Sequence, residues 1–378
     1  MLFAIDLDWL LLKAELFNKD YLKEKQGDMF KKIQKLNSPR ELKTLYPVDV
    51  KSKKFFDESI KKILSGTDRR LLAIVGPCSL DGEEGIYAYL EKLADLRRRV
   101  EEKILLVPRL YTAKPRSRDG FKGLLHSPDI ADCAAEGTLS GKFLNDDFCK
   151  GLALCRKILT TAVNQFGFGC ADELLYPWTY KYFGDAVSYY AIGARSSQNQ
   201  EHRFMASAID SAVGIKNPLS GNLSALADSV SVAKKPNRFV SDGYEAESYG
   251  NPYAHGILRG YADSEGRQVG NLSKAGEYLD ACGALGFVNA PVVIDVSHGN
   301  SGKDYLKQVD GIKHVACEIS NAMRGEGCKT AGAIRGIMLE SYLFDGRGDG
   351  YNFGRSVTDG CLGYEKTERA LLELCEKI

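Results

Sequence analysis

The chain has 378 residues, and its 51 Lys and Arg residues against 50 Asp and Glu residues give a net charge of +1. This balance excludes a protein whose whole surface binds polyanions, so we expect no nucleic-acid partner. The content of 44% hydrophobic and 27% charged residues is typical of a globular protein. No window approaches the ~18 apolar residues that a membrane span requires, so we expect no membrane partner.

The ten cysteines include no Cys-x-x-Cys pair, which argues against a disulfide framework. The N-terminal stretch Met1–Leu12 is interrupted by Asp6 and Asp8 and lacks the basic start of a signal peptide. We therefore predict a cytoplasmic protein with reduced thiols. Thiols that stay reduced are available to bind a metal ion.

Residues 1–67 precede the first predicted strand and are rich in helical patterns. Apolar residues recur at helical spacing in Asp20–Lys35 and in Val50–Leu64. Ser38-Pro39 is typical of a helix start, with a serine cap and a proline in the first turn. We predict an N-terminal helical extension over 1–67, which serves as an oligomer contact or a regulatory segment, and a catalytic domain over 68–378.

From Leu71 onward, short apolar runs alternate with helical patterns such as Gly85–Glu101, Gly151–Gln165 and Asp304–Met323. Strands and helices that alternate in this way over ~300 residues predict an α/β fold, a (β/α)8 TIM barrel. An open doubly wound sheet is the alternative, although no GxGxxG motif follows the first strand to support it. The predicted strands are Leu71–Cys78, Ile104–Tyr111, Phe168–Leu175, Tyr189–Arg195, Ala212–Asn217, Gly256–Gly260, Pro291–His298 and Gly336–Leu343.

Two segments exceed what a minimal barrel needs, and both are predicted as long loops. Thr112–Lys150 follows the second strand, which places it on the catalytic face of a barrel. Lys234–Ala254 precedes the sixth strand and is rich in Gly, Ser, Tyr and Pro.

The first strand shows how chemistry is placed at the carboxyl end of this sheet. Five apolar residues, Leu71–Val75, indicate a strand that is buried on both faces, and Gly76-Pro77 ends it sharply. Cys78 follows at the carboxyl end, where barrel enzymes keep their active sites. The alternative is that Cys78 is a small buried thiol that only packs.

Basic residues recur at or just beyond the ends of the predicted strands. Cations that converge on one rim repel each other unless an anion neutralises them, and Arg suits phosphate and carboxylate oxygens. The pattern therefore predicts a ligand with more than one anionic group, although each cation alone is explained as well by a surface salt bridge. The set is Arg109, Lys114, Arg116, Arg195, Lys216 and Arg259.

A second set of strand-end residues consists of Cys78, His298 and Glu340, with Asp359 nearby. A thiolate, an imidazole and two carboxylates are a mixed set of ligands for a divalent metal ion. Such a mixture favours an exchangeable Mn, Fe, Co or Zn ion over a structural zinc site. The alternatives are a histidine that is satisfied in a turn and a salt-bridged glutamate.

These motifs resemble the type I 3-deoxy-D-arabino-heptulosonate 7-phosphate (DAHP) synthase family, in order from about Ser38 to the C-terminus. Motifs at eight places carry the resemblance. They are Leu72-Ala73-Ile74-Val75-Gly76-Pro77-Cys78-Ser79, Arg109-Leu110-Tyr111 with Lys114-Pro115-Arg116-Ser117, Gly193-Ala194-Arg195-Ser196-Ser197, Gly214-Ile215-Lys216-Asn217, Ile257-Leu258-Arg259-Gly260, Ile294-Asp295-Val296-Ser297-His298, Gly336-Ile337-Met338-Leu339-Glu340-Ser341 and Ser356-Val357-Thr358-Asp359-Gly360-Cys361.

The resemblance implies a (β/α)8 barrel that condenses phosphoenolpyruvate with erythrose 4-phosphate, the first step of the shikimate pathway to the aromatic amino acids. It implies one divalent metal ion, with Mn²⁺ favoured over Fe²⁺, Co²⁺ or Zn²⁺, and a homodimer or homotetramer. The implied metal ligands are Cys78, His298, Glu340 and Asp359. The implied phosphoenolpyruvate site comprises Arg109, Lys114, Ala194, Arg195, Lys216 and Arg259, and Lys114-Pro115-Arg116-Ser117 would hold the aldose phosphate.

Within that mechanism, Lys114 is our candidate proton donor to the new alkoxide, and Glu173 is our candidate for orienting water. The chain departs from the family pattern at Pro218-Leu219-Ser220 and at Thr179-Tyr180-Lys181. These departures leave open a paralogue that uses a different aldose phosphate in secondary metabolism. A non-catalytic regulatory barrel is the alternative from another functional class.

Overall fold

The computed structural model describes residues 31–116, 120–131, 146–287, 290–325 and 332–378. Ser117 and most of the predicted Asp20–Lys35 helix lie outside the described residues. The chain divides into two compact units, Met1–Asn37 and Ser38–Ile378, and the second contains all the predicted site residues. Within the described ranges, none of the helices is long and apolar enough to cross a membrane.

The core of the second unit is a parallel sheet that closes on itself. The barrel strands are β1 (Leu71–Gly76), β2 (Ile104–Pro108), β3 (Cys170–Glu173), β4 (Val187–Ile192), β5 (Ala212–Lys216), β6 (Ala254–Ala262), β7 (Val292–His298) and β8 (Ile334–Tyr342). In the described residues their order in the sheet is β2-β1-β8-β7-β6-β5-β4-β3. A parallel bridge between Arg109 and Ala171 joins β2 to β3, and the Leu110 amide donates to the Ala171 carbonyl at 2.8 Å. The predicted TIM barrel is therefore confirmed, and the open sheet is wrong.

Helices surround this sheet and alternate with its strands. The helix Leu223–Lys234 was not among the helical patterns predicted from the sequence. The helices are α1 (Pro39–Leu45), α2 (Val50–Ser65), α3 (Glu83–Val100), α4 (Phe148–Asn164), α5 (Tyr180–Phe183), α6 (Gln200–Ala208), α7 (Leu223–Lys234), α8 (Ala275–Ala284), α9 (Gln308–Met323) and α10 (Tyr364–Lys377).

Helix α2 closes the amino end of the barrel. Its apolar face packs Phe56, Ile60 and Ile63 against interior residues near the strand starts, such as Leu72 and Ala212. Upstream, the predicted Ser38 cap is confirmed as a reciprocal capping box with Glu41 at the start of α1. The predicted role of residues 1–67 as an oligomer contact or regulatory segment stays a prediction.

The segment Lys234–Ala254 is not the irregular loop that we predicted. It contains an antiparallel hairpin of Arg238–Ser241 with Tyr244–Glu247. Asp242 and Gly243 turn the chain with φ of +54° and +78°, the left-handed conformations that a tight hairpin turn requires. The Asp-Gly pair was the available sequence signal. The surrounding Gly, Ser and Pro residues favoured a loop, and the alternation of apolar and polar residues was too weak to predict strands.

Candidate active site

The predicted site residues converge on the carboxyl end of the barrel, around a cavity of about 890 Å³. Cys78 is fully buried beside it, at the end of β1. Ser117 lies outside the described residues. The other predicted residues all line the cavity: Arg109, Lys114, Pro115, Arg116, Glu173, Ala194, Arg195, Lys216, Arg259, His298, Glu340 and Asp359.

Three of the predicted metal ligands form an acidic cluster. Cys78 Sγ and one carboxylate oxygen each from Glu340 and Asp359 lie within 4.8 Å of one another. His298 borders this cluster, with its Nε2 atom 3.6 Å from Glu340 Oε1. Cys78 and Asp359 are 281 positions apart in the sequence, and adjacency of β7, β8 and β1 brings the group together.

Lys114 inserts its ammonium group into the acidic cluster. Its Nζ atom lies 2.5 Å from Cys78 Sγ and 3.0 Å from Asp359 Oδ2, and the Cys78 thiol donates to the same oxygen at 3.3 Å. Burial disfavours the ammonium, but the Glu340 and Asp359 carboxylates beside it outweigh this effect and raise the pKa of Lys114. Burial opposes ionisation of Asp359 too, yet the Lys114 charge holds its pKa below the usual range. The cluster therefore accommodates a positive charge.

The Cys78 thiol is protonated at neutral pH in this arrangement. Burial, reinforced by the neighbouring Glu340 carboxylate, raises its pKa to about 12. Lys114 and Arg109 act in the opposite direction but are outweighed. A thiolate at this position thus requires an additional positive charge close to the sulfur.

Arg109 also pairs with the acidic cluster and is not free at the rim. Its guanidinium donates to Glu340 at 3.1 Å and to the Pro77 carbonyl, and it stacks 3.7 Å from the centre of the Tyr111 ring. Gly76 lets the backbone of Arg109 lie close to the end of β1, because a Cβ atom at Gly76 would lie 2.3 Å from the Arg109 carbonyl oxygen. The cations and acids that we predicted as two separate sets are therefore interleaved.

Asp295 is a site residue that sequence reasoning missed. It is fully buried, accepts from Lys216 Nζ at 2.8 Å and lies 3.0 Å from His298 Nδ1. Burial opposes its ionisation, but Lys216 and His298 hold its pKa well below the usual range. A hydrogen on Nδ1 leaves the Nε2 lone pair of His298 directed away from Asp295. The available signal was a carboxylate within the apolar run of β7, where an unpaired charge is costly.

Arg195 follows β4 and Arg259 lies on β6, and both side chains line the cavity. Arg259 Nε is buried and has no hydrogen-bond partner within the described residues. Burial, together with the charge of Arg195, lowers the pKa of Arg259, although Asp295 acts in the opposite direction. An anion between these two side chains would supply the missing partner.

Glu173 lies at the end of β3, beside the loop that carries Ala194 and Arg195. Its side chain is buried, and a Cβ atom on Gly193 would lie 2.2 Å from its Oε1 atom. Gly193 is therefore the residue that lets this carboxylate enter the cavity wall.

Lys303, Tyr305 and Arg347 are among the cavity residues that were absent from the predicted set. Lys303 and Tyr305 follow β7, and Arg347 follows β8. They lie several residues beyond the strand ends, so the strand-end pattern did not include them.

Comparison with known proteins matches this architecture to one family. The model of the DAHP synthetase I family matches residues 46–371, which is most of the chain. The chain belongs to the DAHP synthetase I family. The family resemblance predicted from the motifs is thereby confirmed.

The family includes relatives that align over nearly their full length. The chain is 34% identical to the Trp-sensitive phospho-2-dehydro-3-deoxyheptonate aldolase of Escherichia coli over 92% of this chain and 96% of that protein. It is 32% identical to the phospho-2-dehydro-3-deoxyheptonate aldolase of Corynebacterium glutamicum over 91% and 92%. The solved structure of the aldolase from Francisella tularensis superposes with a TM-score of 0.81 at 29% identity, covering 92% of this chain and 98% of that one.

These relatives carry the enzyme name that the motifs predicted, so the predicted enzyme class is confirmed. The comparisons do not test the roles of individual site residues, which stay predictions.

Proposed function

We propose that this chain condenses phosphoenolpyruvate with erythrose 4-phosphate and water, and releases DAHP and inorganic phosphate. The observation that carries the proposal is the cavity of about 890 Å³, which is lined both by the acidic cluster and by Arg195 and Arg259, two arginines without an ion pair in the described residues. Two phosphorylated substrates that must meet in one orientation need separate anion sites on either side of the reacting atoms. Relatives at 32% to 34% identity bear the name of this activity.

Phosphoenolpyruvate would bind on the side of Arg195 and Arg259. The unpartnered Nε of Arg259 favours a phosphate or carboxylate there. Lys216 adds a buried ammonium that Asp295 holds in place. Arg109 and Lys114 complete the proposed site, together with Ala194, which lines the cavity next to Arg195.

The aldose phosphate would bind along Lys114-Pro115-Arg116-Ser117. Pro115 and Arg116 line the cavity directly after Lys114, whose ammonium is anchored in the acidic cluster. This arrangement would direct the aldehyde toward Lys114 and the terminal phosphate toward Arg116.

Carbon–carbon bond formation joins C3 of phosphoenolpyruvate to the aldehyde carbon and leaves an alkoxide. Lys114 would donate the proton to that alkoxide, because its raised pKa keeps the ammonium charged until a strong base forms beside it. Water then adds at C2, and the resulting hemiketal phosphate releases inorganic phosphate. Glu173 would orient that water from the cavity wall, because its buried carboxylate is a hydrogen-bond acceptor that lines the cavity.

A divalent metal ion fits the residues present. Cys78, His298, Glu340 and Asp359 would hold it, because their donor set is mixed and the cluster already accommodates the positive charge of Lys114. The ion would supply Lewis-acid polarisation of an oxygen at this end of the cavity. We propose Mn²⁺, with Fe²⁺, Co²⁺ and Zn²⁺ as the alternatives.

The test is release of inorganic phosphate from phosphoenolpyruvate, measured with a panel of aldose phosphates, with and without a chelator. We expect turnover with erythrose 4-phosphate, loss of turnover on chelation, and recovery with Mn²⁺. Turnover with another aldose phosphate alone would replace this function by that of a paralogue. No turnover with any of them, in a protein reconstituted with each of the four ions, would indicate the non-catalytic barrel.

We also propose that the chain works in the cytoplasm as a homodimer or homotetramer, with residues 1–67 as the extension that contacts another subunit or regulates it. Light scattering on the full chain and on a variant lacking residues 1–37 tests the assembly. An unchanged number of subunits in that variant would argue against an oligomer contact in this part of the extension.

A further inference from the structure

Lys303 and Arg347 are cavity-lining cations to which no role has been assigned so far. Both side chains are exposed, and within the described parts of the chain neither has an ion pair or a hydrogen bond. Two like charges that line one cavity repel each other, and Arg116 lines the same cavity. Such an arrangement is favourable when an anion lies in that cavity.

The position of these cations around the barrel distinguishes them from the phosphoenolpyruvate side. Arg195, Lys216 and Arg259 follow β4, β5 and β6. Lys303 follows β7 and Arg347 follows β8, next to β1 and β2. Because β2 leads to Arg116, these three cations follow neighbouring strands, and the acidic cluster belongs to the same part of the barrel, at β8 and β1.

The backbone that carries Arg347 is fixed. Arg347 forms a parallel bridge with Ser356, and the Gly348 amide donates to the Ser356 carbonyl at 2.9 Å. Gly346 and Cys361 exchange two backbone hydrogen bonds, of 2.8 and 3.1 Å. Arg347 is therefore tied to the same segment that carries Asp359.

Tyr305 joins the Lys303 segment to the Arg347 segment. A Cβ atom on Gly360 would lie 2.8 Å from Tyr305 Cδ1, and one on Gly346 would lie 3.6 Å from its hydroxyl. Lys303 adopts a left-handed conformation with φ of +63°, and its amide donates to the His298 carbonyl at 2.8 Å. The two cations thus belong to one continuous edge.

We propose that Arg347, assisted by Lys303, is a specificity-determining residue that holds the phosphate dianion of the acceptor. The inference rests on the proposed function and adds further cations to the Arg116 guanidinium in the proposed aldose phosphate site. A planar guanidinium binds two phosphate oxygens at once, so Arg347 favours acceptors with a terminal phosphate over neutral aldoses.

The test compares Arg347→Gln and Lys303→Gln with wild-type holoenzyme. The matched control is Arg238→Gln, which changes an exposed arginine on the hairpin at the amino end of the barrel. We expect Arg347→Gln to raise the KM for erythrose 4-phosphate about tenfold or more, as for loss of a charged hydrogen bond, with the KM for phosphoenolpyruvate unchanged. The preference for erythrose 4-phosphate over erythrose should fall by a similar factor. Arg238→Gln should leave both KM values and this preference unchanged.

Calorimetric titration with erythrose 4-phosphate separates failure of this inference from failure of the proposed function. Wild-type turnover with unchanged KM and unchanged binding in Arg347→Gln would overturn the inference and leave the function standing. If the wild type binds erythrose 4-phosphate without turnover and Arg347→Gln loses that binding, the inference stands and the proposed reaction does not. If the wild type does not bind erythrose 4-phosphate, the inference is overturned.

Discussion

Replacing Asp295 by Asn tests the link between Lys216, in the proposed phosphoenolpyruvate site, and His298 beside the acidic cluster. The carboxylate is fully buried and lies 2.8 Å from Lys216 Nζ and 3.0 Å from His298 Nδ1. Asparagine keeps the size of the side chain and removes the charge. The Lys216 ammonium then stays buried without its counter-ion.

The expected cost follows from breaking a buried ion pair on one side, which is about 3–5 kcal/mol in the free energy of unfolding. A second effect follows from His298, whose Nδ1 hydrogen loses the acceptor that fixes the tautomer and the ring orientation. Loss of such an acceptor typically lowers metal affinity about 10- to 100-fold. Asp295→Asn should therefore weaken both stability and metal binding.

Asp172→Asn is the matched control, because Asp172 is an equally buried carboxylate on β3. Its hydrogen-bond donors in the described residues are neutral groups of Thr112 and Glu173. Burial raises its pKa to about 7, so its ionised form destabilises the folded state at pH 8. Removing this charge should leave the free energy of unfolding at pH 8 unchanged or higher, with metal affinity unaffected.

The assays are urea unfolding at pH 8 and competition for Mn²⁺ against a chromophoric chelator, both on folded full-length protein. Asp295→Asn should lose stability and metal affinity, and the control should lose neither. If both variants lose equal stability and neither changes metal affinity, the carboxylate of Asp295 acts only in packing, and the reasoning from its two partners is refuted.

Three further predictions concern single residues. Cys78→Ala should abolish metal-dependent turnover in the phosphate-release assay, and full activity of that variant after chelation would remove the thiol from the metal site. Lys216→Ala should raise the phosphoenolpyruvate requirement more than any other single change in the site, and an unchanged binding isotherm for phosphoenolpyruvate would contradict this. Burial lowers the pKa of His255 to about 4, so the unfolded chain takes up its proton first as the pH falls. The free energy of unfolding should therefore fall by about 3 kcal/mol through His255 as the pH falls from about 6.5 to 4. Across this pH range the midpoint of urea unfolding should fall less steeply in His255→Gln than in the wild type. Equal slopes in the two proteins would refute the lowered pKa of His255.

The barrel strands could be predicted because each depends on a local pattern of apolar residues in the sequence. All eight predicted strands are present, although most are shorter at one end than the apolar run. Apolar runs buried on both faces, ended by turn residues, specify a parallel strand without knowledge of its neighbours. The hairpin at Asp242-Gly243 was missed because its strands are exposed and carry no apolar run.

The sequence by itself determined which chemical groups stand at the mouth of the barrel, because each strand end is a local feature. Only the tertiary structure decided which of these groups neutralise each other. Arg109 pairs with Glu340, Lys114 with Asp359, and Lys216 with Asp295. Those pairings depend on the order of strands around the closed sheet and on distances of about 3 Å between buried charges, which no spacing along the chain encodes. The cavity cations that have no ion pair within the described residues, such as Arg195 and Arg347, are the ones that the fold leaves for anions.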